Sequence, residues 1–512
     1  MVSAETSTPD GSEDALVARL RGQLAMAELK IQALEAELRL ERIKKYGPKS
    51  DAVPSDQLEL LEAEPGVSDA EVAEEAQREA VAPVERENRK RRKPHPGRQT
   101  LPAHLPRVER VIACTPEQCV CADCGQERTV IGYDESEQLD REPAKYFVVR
   151  TRREKRVCKA CEDSAVIAAP LADAIIPKSL VSDRVVIDTV LNKYVAHLPL
   201  YRQSVLLERD TGLEISRATM DGWVMRVGEL LTPVVSRMKK ELLAGSYIQA
   251  DETPVAVQKH DGSGTNHQAY LWQYGTPDGA VVFDFRMGRA REGPKAFLDG
   301  YQRLLQTDGY AAYDGVGGPG MVHAACWSHA RRKFTDALKL NPKDATAARL
   351  LATIDALFAI DARAREQALS HAQRHELRQR EAVPRLDTLR DGLKAARANC
   401  LPASATAKAA NYTLALWQKL TRFLDHPELE LSNNLAENSM RAIALGRRNW
   451  IHFGHKDAGP RIAAILSVIE SCRRLDINTR SYLANVLPGL ANKSIQQLAD
   501  LTPTNAARRG LL

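Results

Sequence analysis

Two Cys-x-x-Cys pairs, Cys121-Ala122-Asp123-Cys124 and Cys158-Lys159-Ala160-Cys161, present four thiols at a spacing that zinc selects. Each pair fits a tight turn that aims two thiolates at one point, and two such turns complete a tetrahedron. Four thiolates leave no open coordination position, so the expected role is a structural zinc staple with no part in catalysis. Cys114 and Cys119 stand close enough in sequence to replace one ligand, whereas Cys326, Cys400 and Cys472 read as buried residues. In Cys326-Trp327-Ser328-His329 a metal pair is conceivable, with packing the favoured reading.

Three carboxylates form the second chemical set. Asp251 falls at the end of a strand-like run at 247–250, and Asp308 at the end of another at 302–307, directly before Gly309. Carboxylates ending neighbouring strands suit Mg²⁺, a hard cation that takes oxygen ligands and keeps positions free for phosphate. Aspartate before glycine is also an ordinary turn residue, and both readings stand at this point. Glu437, in Ser432-Asn433-Asn434-Leu435-Ala436-Glu437, opens a helical run reaching Leu445. Asn434 as N-cap with Glu437 as the reciprocal third residue of a capping box is one reading. The other puts Glu437 and Arg441, four apart, on one helix face, the acid completing a metal site and the base pairing with it or with phosphate. Spacing does not separate the two.

The elements that must position these groups are legible in outline. At 512 residues, with 44% hydrophobic, 27% charged and 5% aromatic residues, the chain has the composition of a helix-rich globular protein of several domains. No apolar run approaches the roughly 18 residues needed to span a bilayer, and the first residues lack the basic-then-apolar layout of a secretory signal. An intracellular protein without a membrane partner is expected, and in a reducing compartment nine cysteines point to metal ligation or burial rather than disulfides. The net charge of +5 says little about partners; its distribution says more.

Val17, Leu20, Leu24, Ala27, Ile31, Leu34 and Leu38 alternate spacings of three and four, the stripe of a short coiled coil that would self-associate, or else of one amphipathic helix. An acidic stretch then gives way to a basic one in which Arg86, Arg89, Lys90, Arg91, Arg92, Lys93 and Arg98 face only Glu85 and Glu87. This is a solvated charge run or, the preferred reading, an arm that neutralises DNA phosphates. Residues 166–243 read as helical, with a helix, a turn at Thr211-Gly212 and a second helix capped by Ser216, compatible with a helix-turn-helix or with plain packing. Short strand-like runs follow at 247–250, 269–274, 280–285 and 302–307, and 336–425 is again helical without strand candidates.

The order of these segments resembles the large transposases of bacterial insertion sequences of family 66, members of the Asp-Asp-Glu group. The resemblance rests on ordered blocks along nearly the whole chain. They are Tyr46-Gly47-Pro48-Lys49-Ser50, Leu101-Pro102-Ala103-His104-Leu105-Pro106-Arg107, Lys193-Tyr194 and Leu198-Pro199-Leu200-Tyr201-Arg202-Gln203. Downstream come Ala250-Asp251-Glu252-Thr253-Pro254, Thr307-Asp308-Gly309-Tyr310 with Tyr313, Cys326-Trp327-Ser328-His329-Ala330-Arg331-Arg332-Lys333-Phe334 and Gly446-Arg447-Arg448-Asn449-Trp450. Two departures from the family pattern stand out: Asn438 replaces the arginine that often follows the glutamate, and Ile451-His452-Phe453-Gly454-His455 replaces Leu-Phe-Ala-Gly-Ser.

The resemblance implies that Asp251, Asp308 and Glu437 are a metal-binding catalytic triad for two Mg²⁺ ions, with Mn²⁺ as a substitute, on a ribonuclease H-like fold. It further implies cleavage and strand transfer of double-stranded DNA, at element ends and target, by a homodimer or higher oligomer, with accessory proteins of the same element as possible partners. The expected location is the bacterial cytoplasm, with the nucleoid. Arg91, Arg92 and Lys93 of the arm, and Arg331, Arg332, Lys333, Arg441, Arg447 and Arg448 near the metals, are the expected DNA contacts. A catalytically decayed DNA-binding regulator and a structure-specific nuclease are the rival readings.

The expected fold class is thus multidomain α+β: a coiled coil at 13–46, an acidic then basic linker at 47–110, and a four-cysteine zinc module at 111–165. A helical, DNA-binding candidate at 166–245 precedes a ribonuclease H-like catalytic α/β domain at 246–335 and 426–475. That domain is interrupted by a helical insertion at 336–425 and followed by a C-terminal segment at 476–512.

Overall fold

The computed structural model describes residues 172–509 apart from 260–263 and 278, together with 21, 31, 146–152, 155–156, 167–168 and 170. The linker, Arg91, Arg92, Lys93, the four cysteines Cys121, Cys124, Cys158 and Cys161, and all the coiled-coil positions except Ile31 lie outside the described residues. Among the described residues no helix is long and apolar enough to cross a membrane.

Three helices lead in: α1 (Asp183–Tyr194), α2 (Leu200–Thr211) and α3 (Arg217–Ala244). The turn between α2 and α3 follows from its residues. Gly212 takes φ +70°, which glycine adopts without steric cost, and the Ser216 side chain accepts the Thr219 N–H as N-cap.

The sheet follows. Its main strands are β1 (Tyr247–Gln258), β2 (Asn266–Gly275), β3 (Val281–Arg286), β4 (Leu304–Thr307) and β5 (Val322–Ala325), in the spatial order β3-β2-β1-β4-β5. The first three are antiparallel neighbours, whereas β4 runs parallel to β1 and β5 parallel to β4. A two-residue strand, β6 (His452–Phe453), also pairs in parallel with β1, at Ala256 and Val257. Because β4 covers only Tyr247–Gln249, the edge of β1 between those two pairings is left open.

Strand alternation sorts β1 and β4 onto two faces. Ile248, Ala250 and Leu305 join a core with α3 and with α11 (Ala458–Arg474), while Tyr247 and Leu304 join a second core under the later helices. At the α3–α11 crossing the absence of a side chain at Gly228 is required, since a Cβ there would stand 2.6 Å from the Arg461 carbonyl oxygen.

The second face is covered by α5 (Trp327–Leu340), α6 (Ala345–Glu366), α7 (His371–Leu377), α8 (Val383–Asn399) and α9 (Ala405–Ala415), with a short α4 (Glu292–Phe297) earlier in the chain. In α5 the buried residues Trp327, Ala330, Phe334, Ala337 and Leu340 recur at helical spacing. The chain then returns to the sheet through 421–433 and enters α10 (Asn434–Trp450).

Charged groups tie that return segment to the helices. Asp361, almost fully buried on α6, pairs with Arg374 at 2.6 Å and Arg378 at 2.7 Å, and Arg374 also holds Glu430 at 3.0 Å. Arg378 begins a π-helical turn and donates to the carbonyls of Phe423, His426, Pro427 and Leu429. Arg378→Met leaves those carbonyls without their donor and Asp361 with one buried partner fewer. The expected loss is about 3–5 kcal/mol of unfolding free energy, read from urea denaturation of the full chain; an unchanged midpoint would contradict this role.

Candidate active site

Two Gln-x-Asp triplets, Gln249-Ala250-Asp251 and Gln306-Thr307-Asp308, sit side by side on the parallel pair β1 and β4, with Gln249 opposite Gln306. Alternation puts each aspartate on the same face as its glutamine, one step further along. The glutamines form a buried polar layer. Gln249 Nε2 donates to Gln306 Oε1 at 2.9 Å and to the Ser432 carbonyl at 3.1 Å, and Gln306 Nε2 donates to the Glu430 carbonyl at 2.6 Å. The Tyr247 hydroxyl donates to Gln306 Oε1 at 2.5 Å and accepts the Glu430 N–H at 3.3 Å. Trp327 N–H donates to the Leu431 carbonyl at 2.8 Å, and Asn433 N–H to Cys326 Sγ at 3.4 Å. The segment before α10 is thereby fixed on β1, β4 and the start of α5.

Asp251 lies within β1, in the open stretch of its edge, and not at a strand end as its sequence suggested; the strand continues because Asp251 to Gln258 all pair with β2. One of its oxygens accepts the Glu252 N–H at 2.9 Å. Burial chiefly, then Glu252, with Asp308 and Glu437 adding, pushes its carboxyl up to about 8 against a backbone hydrogen bond that pulls the other way. Asp308 directly follows β4 and accepts the Tyr310 N–H at 2.7 Å, while its own carbonyl accepts the Tyr412 hydroxyl at 2.8 Å. The turn needs Gly309, which holds φ +95° against Leu416; a Cβ would stand 2.6 Å from that side chain.

Glu437 lies in the first turn of α10. The N-cap is Asn433, whose amide makes no bond to the helix, so the capping-box reading with Asn434 is overturned. Glu437 Oε2 instead accepts from Arg332 Nη2 at 3.3 Å, and its Oε1 is 3.7 Å from His329 Nε2. That Oε1 is shielded from solvent and has no hydrogen-bond partner. Burial depresses His329, while Glu437 and Asp308 oppose the shift.

Glu252, which the sequence did not single out, has a different fate from its neighbour. Its side chain is 2% exposed and bound to Arg289 at 2.6 Å and the Tyr313 hydroxyl at 2.9 Å, although burial still raises its pKa. It is a satisfied internal anion, leaving Asp251, Asp308 and Glu437 as the carboxylates without a full complement of protein cations.

The cations expected beside the metals divide into three groups. Arg332 pairs with Glu437, and Lys333 stands 5.5 Å over the Tyr412 ring, next to Asp308. Arg331 is engaged by Asp355 at 2.5 Å, and Arg447 donates to Thr253 Oγ1 and the Pro254 carbonyl, tying α10 to β1. Arg441 and Arg448 are exposed. Of the two roles expected of Arg441, pairing with Glu437 or with phosphate, the first is not met: Arg332 of α5 pairs with Glu437 instead.

Among the described residues, the potential metal ligands that all lie within 4.8 Å of one another are Cys326, His329 and Glu437. The raised carboxyl of Asp251 and the unpartnered oxygen of Glu437 are both features that a bound cation would relieve.

For a carboxyl whose folded pKa lies above its unfolded value, the fold binds the proton more tightly, so stability falls as pH rises through that window. Asp251→Asn removes this loss. Without divalent metal at pH 8, where the native carboxyl ionises, the variant should melt at least about 3 °C above the native protein, with the gap closing toward pH 4. An equal or lower melting temperature at pH 8 would contradict the assignment.

Comparison with known proteins agrees with these features. Residues 178–461 match the family model described as Transposase IS66 family. Residues 118–162, which contain all four Cys-x-x-Cys cysteines, match the zinc-finger binding domain of transposase IS66, in support of structural zinc. Residues 33–110 match the model described as Transposase C of IS166 homeodomain. The uncharacterized protein y4hP of Sinorhizobium fredii is 29% identical over 501 residues, covering 93% of this chain and 88% of the relative. The uncharacterized protein y4jD of the same organism is 31% identical over 422 residues, covering 79% and 81%. With more than half its length matched by the transposase model, the chain belongs to the IS66 transposase family.

Proposed function

We propose that this transposase cuts the ends of an insertion sequence and joins them to target DNA by Mg²⁺-dependent phosphoryl transfer at Asp251, Asp308 and Glu437. The observation that carries the reading is Asp251, half-buried in the open edge of β1, with its carboxyl raised to about 8 and Asp308 and Glu437 both contributing. Such a set is costly without a cation and favourable with one. The sheet order, with Asp251 within one central strand and Asp308 directly after its parallel neighbour, supports a ribonuclease H-like catalytic fold interrupted by helices α5–α9.

Two Mg²⁺ ions held by these carboxylates, or Mn²⁺ in their place, would activate the attacking oxygen and stabilise the leaving one. The chain's own groups do the rest. With ions held there, Asp251 would stand ionised, and Arg332, released from Glu437, would be free to meet a DNA phosphate beside Lys333. Arg441 and Arg448, exposed on α10, extend that basic surface, and Arg331 and Arg447 brace the helices that carry it. Arginine 332 also supplies the base that Asn438 does not. The arm containing Arg91, Arg92 and Lys93 adds phosphate contacts, and the zinc module, with Cys121, Cys124, Cys158 and Cys161 as ligands, and the α2–α3 pair are the candidates for reading the element's ends. An oligomer joined by the N-terminal coiled coil would hold two ends together, in the bacterial cytoplasm where the chromosome lies.

The test uses purified protein, Mg²⁺ or Mn²⁺, and labelled double-stranded DNA carrying the element's ends, with accessory proteins supplied. Native protein should give cleaved and joined products, and Asp251→Ala should give neither while shifting the same DNA in a binding assay. Cleavage retained in the variant would sink the assignment. Cutting without joining would favour a nuclease, and binding without cutting a DNA-binding regulator.

A further inference from the structure

We propose that Cys326, His329 and Glu437 form a site for a soft divalent metal ion of the zinc class, distinct from the zinc finger, whose occupation withdraws Glu437 from the carboxylate set. The inhibitory consequence rests on the function proposed above; the binding site itself does not.

A thiol sulfur, an imidazole nitrogen and a carboxylate oxygen lie within 4.8 Å of one another. His329 Nε2 and Glu437 Oε1 are 3.7 Å apart, near the roughly 3.4 Å edge of a tetrahedron around an ion bonded at about 2.1 Å. Cys326 is the N-cap of α5, and His329 stands three residues on, in the helix's first turn, so both face the same way. The sulfur is fully buried, which pushes the thiol up to about 11, while backbone N–H groups of Asn433, His329 and Ser328 pull the other way and would support a thiolate once a cation replaces its proton. Glu437 Oε1 is shielded and without a hydrogen-bond partner, which is unusual for a buried polar atom unless a ligand completes it.

The donor set decides the ion. Mg²⁺ requires oxygen ligands in an octahedron, whereas one sulfur, one nitrogen and one oxygen select zinc, with water in the fourth position. Binding releases the thiol proton to solvent. With Oε2 on Arg332 and Oε1 on zinc, Glu437 has no oxygen left for Mg²⁺.

The experiment compares the full-length protein, Cys326→Ala and Glu437→Gln, each equilibrated with zinc chloride, freed of loosely bound ion and measured for zinc per chain. The native protein should hold about one zinc more than either variant. The isosteric glutamine keeps the comparison valid should the cysteine variant fold poorly, which circular dichroism would reveal. Equal zinc in all three overturns the site. Zinc is then titrated into the Mg²⁺-dependent cleavage assay. Cys326→Ala should cut DNA without zinc and should need at least about tenfold more zinc than the native protein for the same inhibition. Equal sensitivity overturns the inhibitory role. A native protein that holds the extra zinc yet never cuts DNA in Mg²⁺ supports the site and refutes the catalytic reading instead.

Discussion

The candidate site depends on the buried contact between Gln249, Gln306 and the backbone of the segment at 430–432. Asp251 and Asp308 are set by adjacent strands, but Glu437 arrives only after the whole helical insertion. Something must bring the chain back in register. The two amides do so by donating to the carbonyls of Ser432 and Glu430, with Tyr247 closing the layer. Each such bond contributes about 0.5–1.5 kcal/mol net, yet losing a partner leaves a buried polar group costing about 1–3 kcal/mol. Buried networks of this kind specify one arrangement more than they add stability. Arg374 and Arg378 extend the same logic outward, binding the far end of the return segment to Asp361 and Glu430.

Electrostatics within the site follows from who is paired. Glu252 and Asp251 are consecutive and both at least half-buried, but Glu252 has Arg289 and Tyr313 whereas Asp251 has other acids. The strand's alternation sends them to opposite faces, so one becomes a structural anion and the other stays reactive. Glu437 stands between two competing sets, the carboxylates on one side and Cys326 with His329 on the other. On the proposed reading, the choice of ion would become a choice of function, since hard and soft cations would draw the same carboxylate into different shells.

Much of this was legible in the sequence. The helix-turn-helix signals at Gly212 and Ser216, the strand runs and the strandless helical stretch all correspond to elements observed, because local turn and cap chemistry dictates them. Strands β5 and β6 were missed: Val322-His323-Ala324-Ala325 has little β-branched content, and His452-Phe453 is too short to show alternation. Asp251 was placed at a strand end because the polar run Asp251-Glu252-Thr253 masks a strand whose partner β2 sustains it. The repeated Gln-x-Asp triplet was a readable signal for the aspartates and the clamp together. That Arg332 rather than Arg441 meets Glu437 is not readable, since spacing along one helix says nothing about a side chain arriving from another.

The most direct test of the central claim, that Asp251, Asp308 and Glu437 surround one divalent-metal centre, is to replace Mg²⁺ with Fe²⁺ and generate hydroxyl radicals with ascorbate and peroxide. The radicals cut the peptide backbone beside the bound ion, and fragment masses locate the cuts. The account predicts cuts clustered around residues 251, 308 and 437, suppressed by excess Mg²⁺. Cuts confined to other parts of the chain, or none that Mg²⁺ suppresses, would contradict it.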